Sequence, residues 1–175
     1  MASTRDTAID SALALLRTGG SVSLDSVANA VGLTKAGLMH HFPTKAALML
    51  ALVDRVVDRW EAELDARLPA EPGRATPRER VLTYLDWCLS PALDPADLVM
   101  VADPRLRVPL TERWCARFEP WFGVSPGLPA DERGRIAAVR LLADGAWFAT
   151  ASGMMPPAED ERAVVRAAAR GILER

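Results

Sequence analysis

The amino-acid sequence predicts an all-α protein of about nine helices, organised in two parts. Ala, Leu, Arg and Glu recur at helical spacing along the 175 residues, whereas alternating runs of β-branched or aromatic residues, which would predict strands, are missing. Twelve of the 13 prolines follow Leu68, so the first part predicts closely connected short helices and the second predicts helices separated by prolines. No repeat with a period of about 20 to 50 residues is present, which argues against a solenoid.

The first four helices each begin at a Ser or Thr whose hydroxyl can accept a hydrogen bond from a free backbone N–H group. These N-caps are Ser3 or Thr4, Ser23, Thr34 and Thr44. Gly19-Gly20 ends the first helix, Gly32 ends the second in a left-handed turn, and the third runs to about Phe42. The fourth helix is much longer and continues to about Leu68, before Pro69.

The second part of the chain predicts five further helices. The run Thr76-Pro77-Arg78-Glu79 combines the spacing of a capping box with Pro at the first helical position, which starts the fifth helix. A short sixth helix is expected at 95–102 and a seventh at 109–122, where Pro120 would kink or shorten it. The eighth covers 130–152, and the ninth begins at Pro157 and runs to the end of the sequence.

Charge, hydropathy and cysteine content exclude several classes of protein. The net charge of -2 gives no general positive field, so nucleic-acid binding would require positive charge on one local surface. No apolar run approaches the ~20 residues of a membrane span, and Asp6 and Asp10 interrupt the region where a signal peptide would be apolar. Cys88 and Cys115 lack the spacing of a zinc site. We therefore expect a cytoplasmic protein with no membrane contact, no metal and no cofactor.

The second and third helices have the spacing of a helix-turn-helix, in which the second helix of the pair enters the major groove of DNA. Ala28 is small where the two helices must approach closely, and Gly32 supplies the turn. The apolar residues that would fix the interhelical angle are Val27, Val31, Leu33 and Leu38. A small helical hairpin with no role in DNA binding could show the same pattern, so the spacing alone leaves both interpretations open.

The stretch from Ser23 to Leu48, SLDSVANAVGLTKAGLMHHFPTKAAL, resembles the DNA-binding sequence of the tetracycline-repressor (TetR) family of transcriptional regulators. The resemblance covers roughly residues 4–68. It implies a homodimer in which a helix-turn-helix domain, residues 1–48, binds a palindromic operator in double-stranded DNA. It also implies that a second domain, residues 49–175, binds a small-molecule effector and forms the dimer, with the helix at 45–68 linking the two.

The candidate recognition helix departs from the common family form, which is close to KGTLYHYF. Here Gly37 stands where Thr is frequent, Met39 replaces a common Tyr, and His41 replaces a Tyr that in the family typically contacts a phosphate. His41 can still donate a hydrogen bond, whereas Met39 can only contact a thymine methyl group or pack against the protein. Gly37 would let the backbone approach DNA, at a helix-stability cost of about 1 kcal/mol relative to Ala.

Lys35 and Lys45 are the only lysines, and they begin the third and fourth helices, while the other 19 basic residues are Arg. Helix N-termini favour anions, so an ammonium beside them completes a phosphate site, although a solvated surface lysine is the alternative. Residues 1–45 carry a net charge of +1 and the rest carry -3. We expect Ser23 and Thr44 to act mainly as helix caps, and their hydroxyl or neighbouring N–H groups could also contact a phosphate. The DNA-binding candidates are Ser23, Thr34, Lys35, Ala36, Gly37, Met39, His40, His41, Thr44 and Lys45.

The second part of the chain holds candidates for an effector site and a dimer interface. Large apolar side chains that could line an effector pocket, or simply fill a core, are Trp87, Met100, Phe118, Trp121 and Trp147. We expect an apolar or amphipathic effector, and the alternative is a cationic effector that binds to the faces of the Trp rings. The last two helices carry a second apolar face. Packing against a second copy across a twofold axis would bury this face, and the alternative is that it lies within a thick monomer core. The interface candidates are Ala138, Leu141, Gly145, Phe148, Val164, Ala168 and Ile172.

These observations predict a ligand-responsive transcriptional repressor, in which the effector shifts the two recognition helices away from operator spacing. Met39, His41 and the small net charge of the first part keep an alternative open, a helical effector-binding or protein-interaction module that no longer binds DNA. An enzyme is disfavoured because the sequence offers no nucleophile with a base, no HExxH motif and no glycine-rich phosphate loop.

Overall fold

A computed structural model describes residues 3–68, 74–90 and 93–175. Within these ranges the chain forms eight α-helices and a 3-10 helix at Pro95–Val101 and contains no strand, which confirms the predicted all-α fold. The helices are α1 (Thr4–Arg17), α2 (Leu24–Ala30), α3 (Lys35–His41), α4 (Lys45–Asp65), α5 (Pro77–Cys88), the 3-10 helix (Pro95–Val101), α6 (Arg107–Phe122), α7 (Ala130–Ser152) and α8 (Glu159–Glu174).

The predicted N-caps act as caps. Each hydroxyl accepts a hydrogen bond from the backbone N–H three residues later, at 3.0 to 3.2 Å, for Ser3, Ser23, Thr34, Thr44 and Thr76. The predicted capping box at the start of α5 is complete, because the Thr76 N–H also donates to the Glu79 carboxylate at 2.7 Å.

One predicted helix differs from the observed one in type, and three differ in a boundary. The sixth helix is a 3-10 helix, and α4 ends at Asp65 rather than near Leu68; Pro69 lies outside the described residues. The seventh helix begins two residues before Pro109, which then falls in its first turn, where the missing N–H group costs no helical hydrogen bond. The last helix begins at Glu159 rather than Pro157, because the Ala158 N–H donates to the Glu161 carboxylate at 2.7 Å.

The chain divides into two compact units, and unit 1 comprises residues 1–59 and 94–117. In it α1 packs on α2 and on the 3-10 helix, and α2 packs on α3. Ion pairs add to this packing: Asp94 accepts from Arg17 at 2.7 Å and from Arg59 at 3.0 Å, and Arg59 also pairs with Asp97. Burial would raise the pKa of Asp94, but the hydrogen bonds from Arg17, the Ala96 N–H and Arg59 together lower it below its ordinary value.

Unit 2 comprises residues 60–93 and 118–175. Its helix α7 packs extensively on α5 and also on α8, and α5 packs on α8. The end of α4 contributes Trp60 and Leu64 to this core, both fully buried. No helix in the described ranges is both long and apolar enough to cross a membrane.

Candidate nucleic-acid interface

The turn between α2 and α3 has the backbone geometry of a helix-turn-helix. Gly32 adopts a left-handed conformation with φ of 70°, and the Leu33 N–H donates back to the Ala28 carbonyl at 2.9 Å, which closes the C-terminus of α2. Val27, Ala28 and Leu38 are essentially inaccessible to solvent. The inner faces of both helices are therefore packed, so that the outer face of α3 is held in a defined orientation.

Helix α3 and the start of α4 present most of the DNA-binding candidates to solvent. Of the ten candidates, Ser23 and Gly37 are partly buried and the other eight are exposed. Met39 is 41% exposed, so this methionine is available for contact with a base rather than packed in the core. Whether the ten residues bind DNA stays a prediction, but the exposure of eight of them is what that role requires.

The N-terminus of α4 places a cation beside free backbone N–H groups. Thr44 caps the helix and Lys45 is its first residue, with 44% of the Lys45 side chain exposed. The Lys45 ammonium also lies 2.6 Å from a carboxylate oxygen of Asp103, whose side chain is only 12% exposed. This hydrogen bond from Lys45 lowers the pKa of Asp103. No spacing or motif in the sequence indicates that Asp103 pairs with Lys45.

Lys35 also has an acidic partner. Its ammonium lies 2.9 Å from a carboxylate oxygen of Asp25 on α2, and more than half of each side chain is exposed. A pair so open to solvent contributes little, about 0–1 kcal/mol, and is easily exchanged for water or another anion. Asp25 therefore leaves Lys35 available to a phosphate.

A further cation that the sequence analysis did not single out lies near the end of α3. The guanidinium of Arg5 is centred 5.2 Å from the ring of Phe42, the buried C-cap residue of α3. Arg5 itself is exposed, so it adds positive charge to this side of unit 1.

The aromatic candidates for an effector site are mostly core residues in this structure. In unit 2 the ring of Trp60 lies at the centre of the cluster, with ring-centroid distances of 4.2 Å to Trp87, 5.5 Å to Phe118 and 5.6 Å to Trp147. Trp121 is also buried in unit 2, while Met100 is buried in unit 1. Trp60 is not one of the five effector-site candidates, because helical spacing indicates an apolar face without showing which ring lies at its centre.

Two carboxylates bind the polar edges of this cluster. The indole N–H of Trp87 donates to Glu63 at 2.7 Å, and the Tyr84 hydroxyl donates to Asp144 at 3.0 Å. Arg140 pairs with the other oxygen of Asp144 at 2.6 Å. Burial raises the pKa of Asp144 and raises the pKa of Tyr84 well above its ordinary value. Trp87 and Tyr84 thus each have a carboxylate hydrogen-bond partner within unit 2.

The outer faces of α7 and α8 are apolar and accessible. Leu141 is 61% exposed and Val164 is 68% exposed, and Gly145, Phe148 and Ala168 are exposed as well. Ala138 and Ile172 are partly buried. These interface candidates are therefore available to a partner, and their role in a dimer stays a prediction.

Comparisons with known proteins agree with the geometry of α1 to α4. A sequence profile of the bacterial regulatory proteins of the tetR family matches residues 8–52. The HTH-type transcriptional regulator EthR of Mycolicibacterium smegmatis is 26% identical over 121 residues, which are 67% of this chain and 54% of that protein. The chain therefore spans about half the length of this curated relative.

The fold of the whole chain also has a match among solved structures. GusR of Salmonella enterica superposes with a TM-score of 0.59 at 18% identity, over 98% of this chain and 96% of that one. At this level of identity the match concerns the fold alone. Residues 8–52 are therefore similar to the bacterial regulatory proteins of the tetR family, and the match to GusR shows the fold.

Proposed function

We propose that this protein is a transcriptional regulator of the TetR family, a repressor that binds a palindromic operator as a homodimer. It releases the operator when a small apolar or amphipathic molecule binds to residues 49–175. The observation that carries the proposal is the exposed face of α3, flanked by the only two lysines at the starts of α3 and α4. Acting on DNA, such a protein would work in the cytoplasm.

The homodimer is supported by the accessible apolar face of α7 and α8. Leu141, Phe148 and Val164 would lose a large apolar area from water if this face packed against a second copy. A dimer also suits the DNA-binding role, because a single helix-turn-helix makes few base contacts and two of them read an inverted repeat.

An effector at the aromatic cluster would have to displace packed rings. Trp60 and Trp87 are in contact, and both are buried. A ligand that binds there would therefore favour a different arrangement of α4 and α5, and α4 also carries Lys45. This is how binding of an apolar molecule would alter the presentation of the DNA-contacting residues.

A second candidate function is a helical module that binds an effector or a protein and no longer binds DNA. The specific observation in its favour is that both lysines are paired with carboxylates, Lys35 with Asp25 and Lys45 with Asp103. The pair at Lys45, whose carboxylate is only 12% exposed, reduces the positive charge available to phosphates, whereas the exposed pair at Lys35 has a small effect.

Selection of DNA decides between the two. The purified protein is incubated with sheared genomic DNA at near-physiological salt, and the retained fragments are sequenced. Fragments that share an inverted repeat support the regulator, whereas no enrichment even at low salt supports the module.

The Lys45→Ala variant then tests the phosphate contact. Because a phosphate contact is independent of sequence, this variant should weaken binding to all duplexes alike and lower the slope of log K against log salt by about one per subunit. Arg113→Ala is the matched control, since Arg113 has a similar exposed fraction, 46%, and also pairs with an Asp. An unchanged slope for Lys45→Ala would remove this residue from the interface.

A further inference from the structure

Asp103 is fixed in position by its own turn. One carboxylate oxygen accepts the Arg105 N–H at 2.9 Å, and the Leu106 N–H donates to the Asp103 carbonyl at 3.0 Å. The turn immediately precedes α6, which starts at Arg107. Since these contacts do not involve Lys45, the carboxylate would stay in place if Lys45 moved away.

The second carboxylate oxygen of Asp103 accepts a hydrogen bond from the Lys45 ammonium. The two atoms lie 2.6 Å apart, the distance of a strong charge-assisted hydrogen bond. The carboxylate is almost buried, whereas the Lys45 ammonium is close to the surface at the N-terminus of α4. The pair cancels the charge of Lys45 at the place where the helix N-terminus would otherwise favour a phosphate.

The pair of Lys35 with Asp25 provides an internal comparison. Asp25 has 63% of its side chain exposed, against 12% for Asp103. Water and salt weaken the exposed pair, whereas the shielded carboxylate of Asp103 holds its partner more strongly. Of these two ion pairs, the one at Lys45 is thus the one that a DNA phosphate must compete with.

We propose that Asp103 is an internal substitute for a DNA phosphate, which holds Lys45 in the free protein and must give it up when the duplex binds. The inference rests on the proposed DNA-binding function and deepens it, because it assigns to Asp103 a part in setting the affinity for the operator. Carboxylate and phosphate oxygens accept the same ammonium protons, and the uncompensated carboxylate repels the phosphate that replaces it.

Removing the carboxylate charge tests the exchange. In Asp103→Asn the amide oxygen can still accept the Arg105 N–H, so the turn before α6 is kept while the negative charge is lost. Binding is measured by fluorescence anisotropy with a fluorescein-labelled mixed-sequence duplex of about 30 base pairs at low salt, long enough for two half-sites. It is repeated with any inverted-repeat duplex that the genomic selection provides. We expect Asp103→Asn to bind about threefold to tenfold more tightly than the wild type.

Two controls separate this exchange from a general effect of charge. Asp58→Asn removes the same charge from unit 1, where Asp58 pairs with Arg117 at 2.7 Å, and should change the affinity by less than about twofold. In a Lys45→Ala background, Asp103→Asn should add nothing, because the ammonium that it would release is absent. Circular dichroism establishes that each variant is folded, and Asp103→Ser, whose hydroxyl can also accept the Arg105 N–H, replaces the Asn variant if that one does not fold.

The inference is overturned if Asp103→Asn binds no more tightly than the wild type, or if its gain persists without Lys45. A wild-type protein that binds neither duplex at low salt is a different result, because it refutes the proposed function itself and the inference with it.

Discussion

Arg59 supplies the cation for the most deeply buried carboxylate in the described part of unit 1. The Asp97 side chain is 1% exposed, and it pairs with Arg59 while also accepting the Asp94 N–H at 3.0 Å. Removing one partner of a buried ion pair costs about 3–5 kcal/mol. Arg59 is about one-third exposed and Asp97 keeps the Asp94 N–H, so we expect Arg59→Leu to lower the free energy of unfolding by about 2–3 kcal/mol.

Arg55 provides a matched control one turn earlier on α4. It is as exposed as Arg59, at 33% against 34%, but its partners Asp6 and Asp10 are themselves 41% and 59% exposed. Arg55→Leu should therefore cost no more than about 1 kcal/mol. The two variants remove the same side chain and differ only in the burial of the carboxylates that are left behind.

Urea unfolding followed by circular dichroism measures both variants. A further variant, Arg59→Leu with Asp97→Asn, should recover at least about half of the loss, since it removes the charge that Arg59→Leu leaves uncompensated. Equal losses for Arg59→Leu and Arg55→Leu would refute the reasoning, because burial of the partner would then have no effect.

Three further predictions concern the dimer, the turn and acid stability. Gly145→Arg or Ala168→Glu, each on the exposed apolar face, should give monomers in analytical ultracentrifugation, and a persistent dimer would exclude this face as the interface. Gly32→Ala should lower the unfolding free energy by about 1 kcal/mol because φ is 70° there, whereas Gly134→Ala, with open space around its Cα within α7, should raise it by up to about 1 kcal/mol. The lowered pKa of Asp94 means that its ionised form stabilises the protein fully above pH 3.8, the ordinary value, and that this contribution is lost as the pH falls through the lower pKa of the folded state. Asp94→Asn should therefore flatten the acid limb of a stability curve measured between about pH 5 and 2.

The features that the sequence predicted well are those that a few neighbouring residues determine. A capping Ser or Thr needs only the N–H three residues later, and Gly32 needs only its own left-handed conformation, so the helix-turn-helix could be located from residues 23–45 alone. The start of α6 was less accurate, because it depends on the turn around Asp103 rather than on Pro109.

The features that the sequence did not predict depend on residues that are far apart in the chain. That Lys45 pairs with Asp103, and Arg59 with Asp97, follows from how the 3-10 helix and the turn after it pack in unit 1. The chain has 21 basic and 23 acidic residues, and spacing alone does not indicate which of them pair. The central position of Trp60 in the aromatic cluster likewise becomes visible only when α5 and α7 are placed in unit 2.

Because the sequence contains only two lysines, both in the proposed interface, amine-reactive reagents can label this interface selectively. The side chains of these 175 residues carry two primary amines, and both are accessible in the free protein. Brief acylation followed by peptide mass spectrometry would therefore report on the starts of α3 and α4 without labelling any other side-chain amine. The Lys45 amine, held by Asp103, should acylate more slowly than that of Lys35, and a bound duplex should protect both.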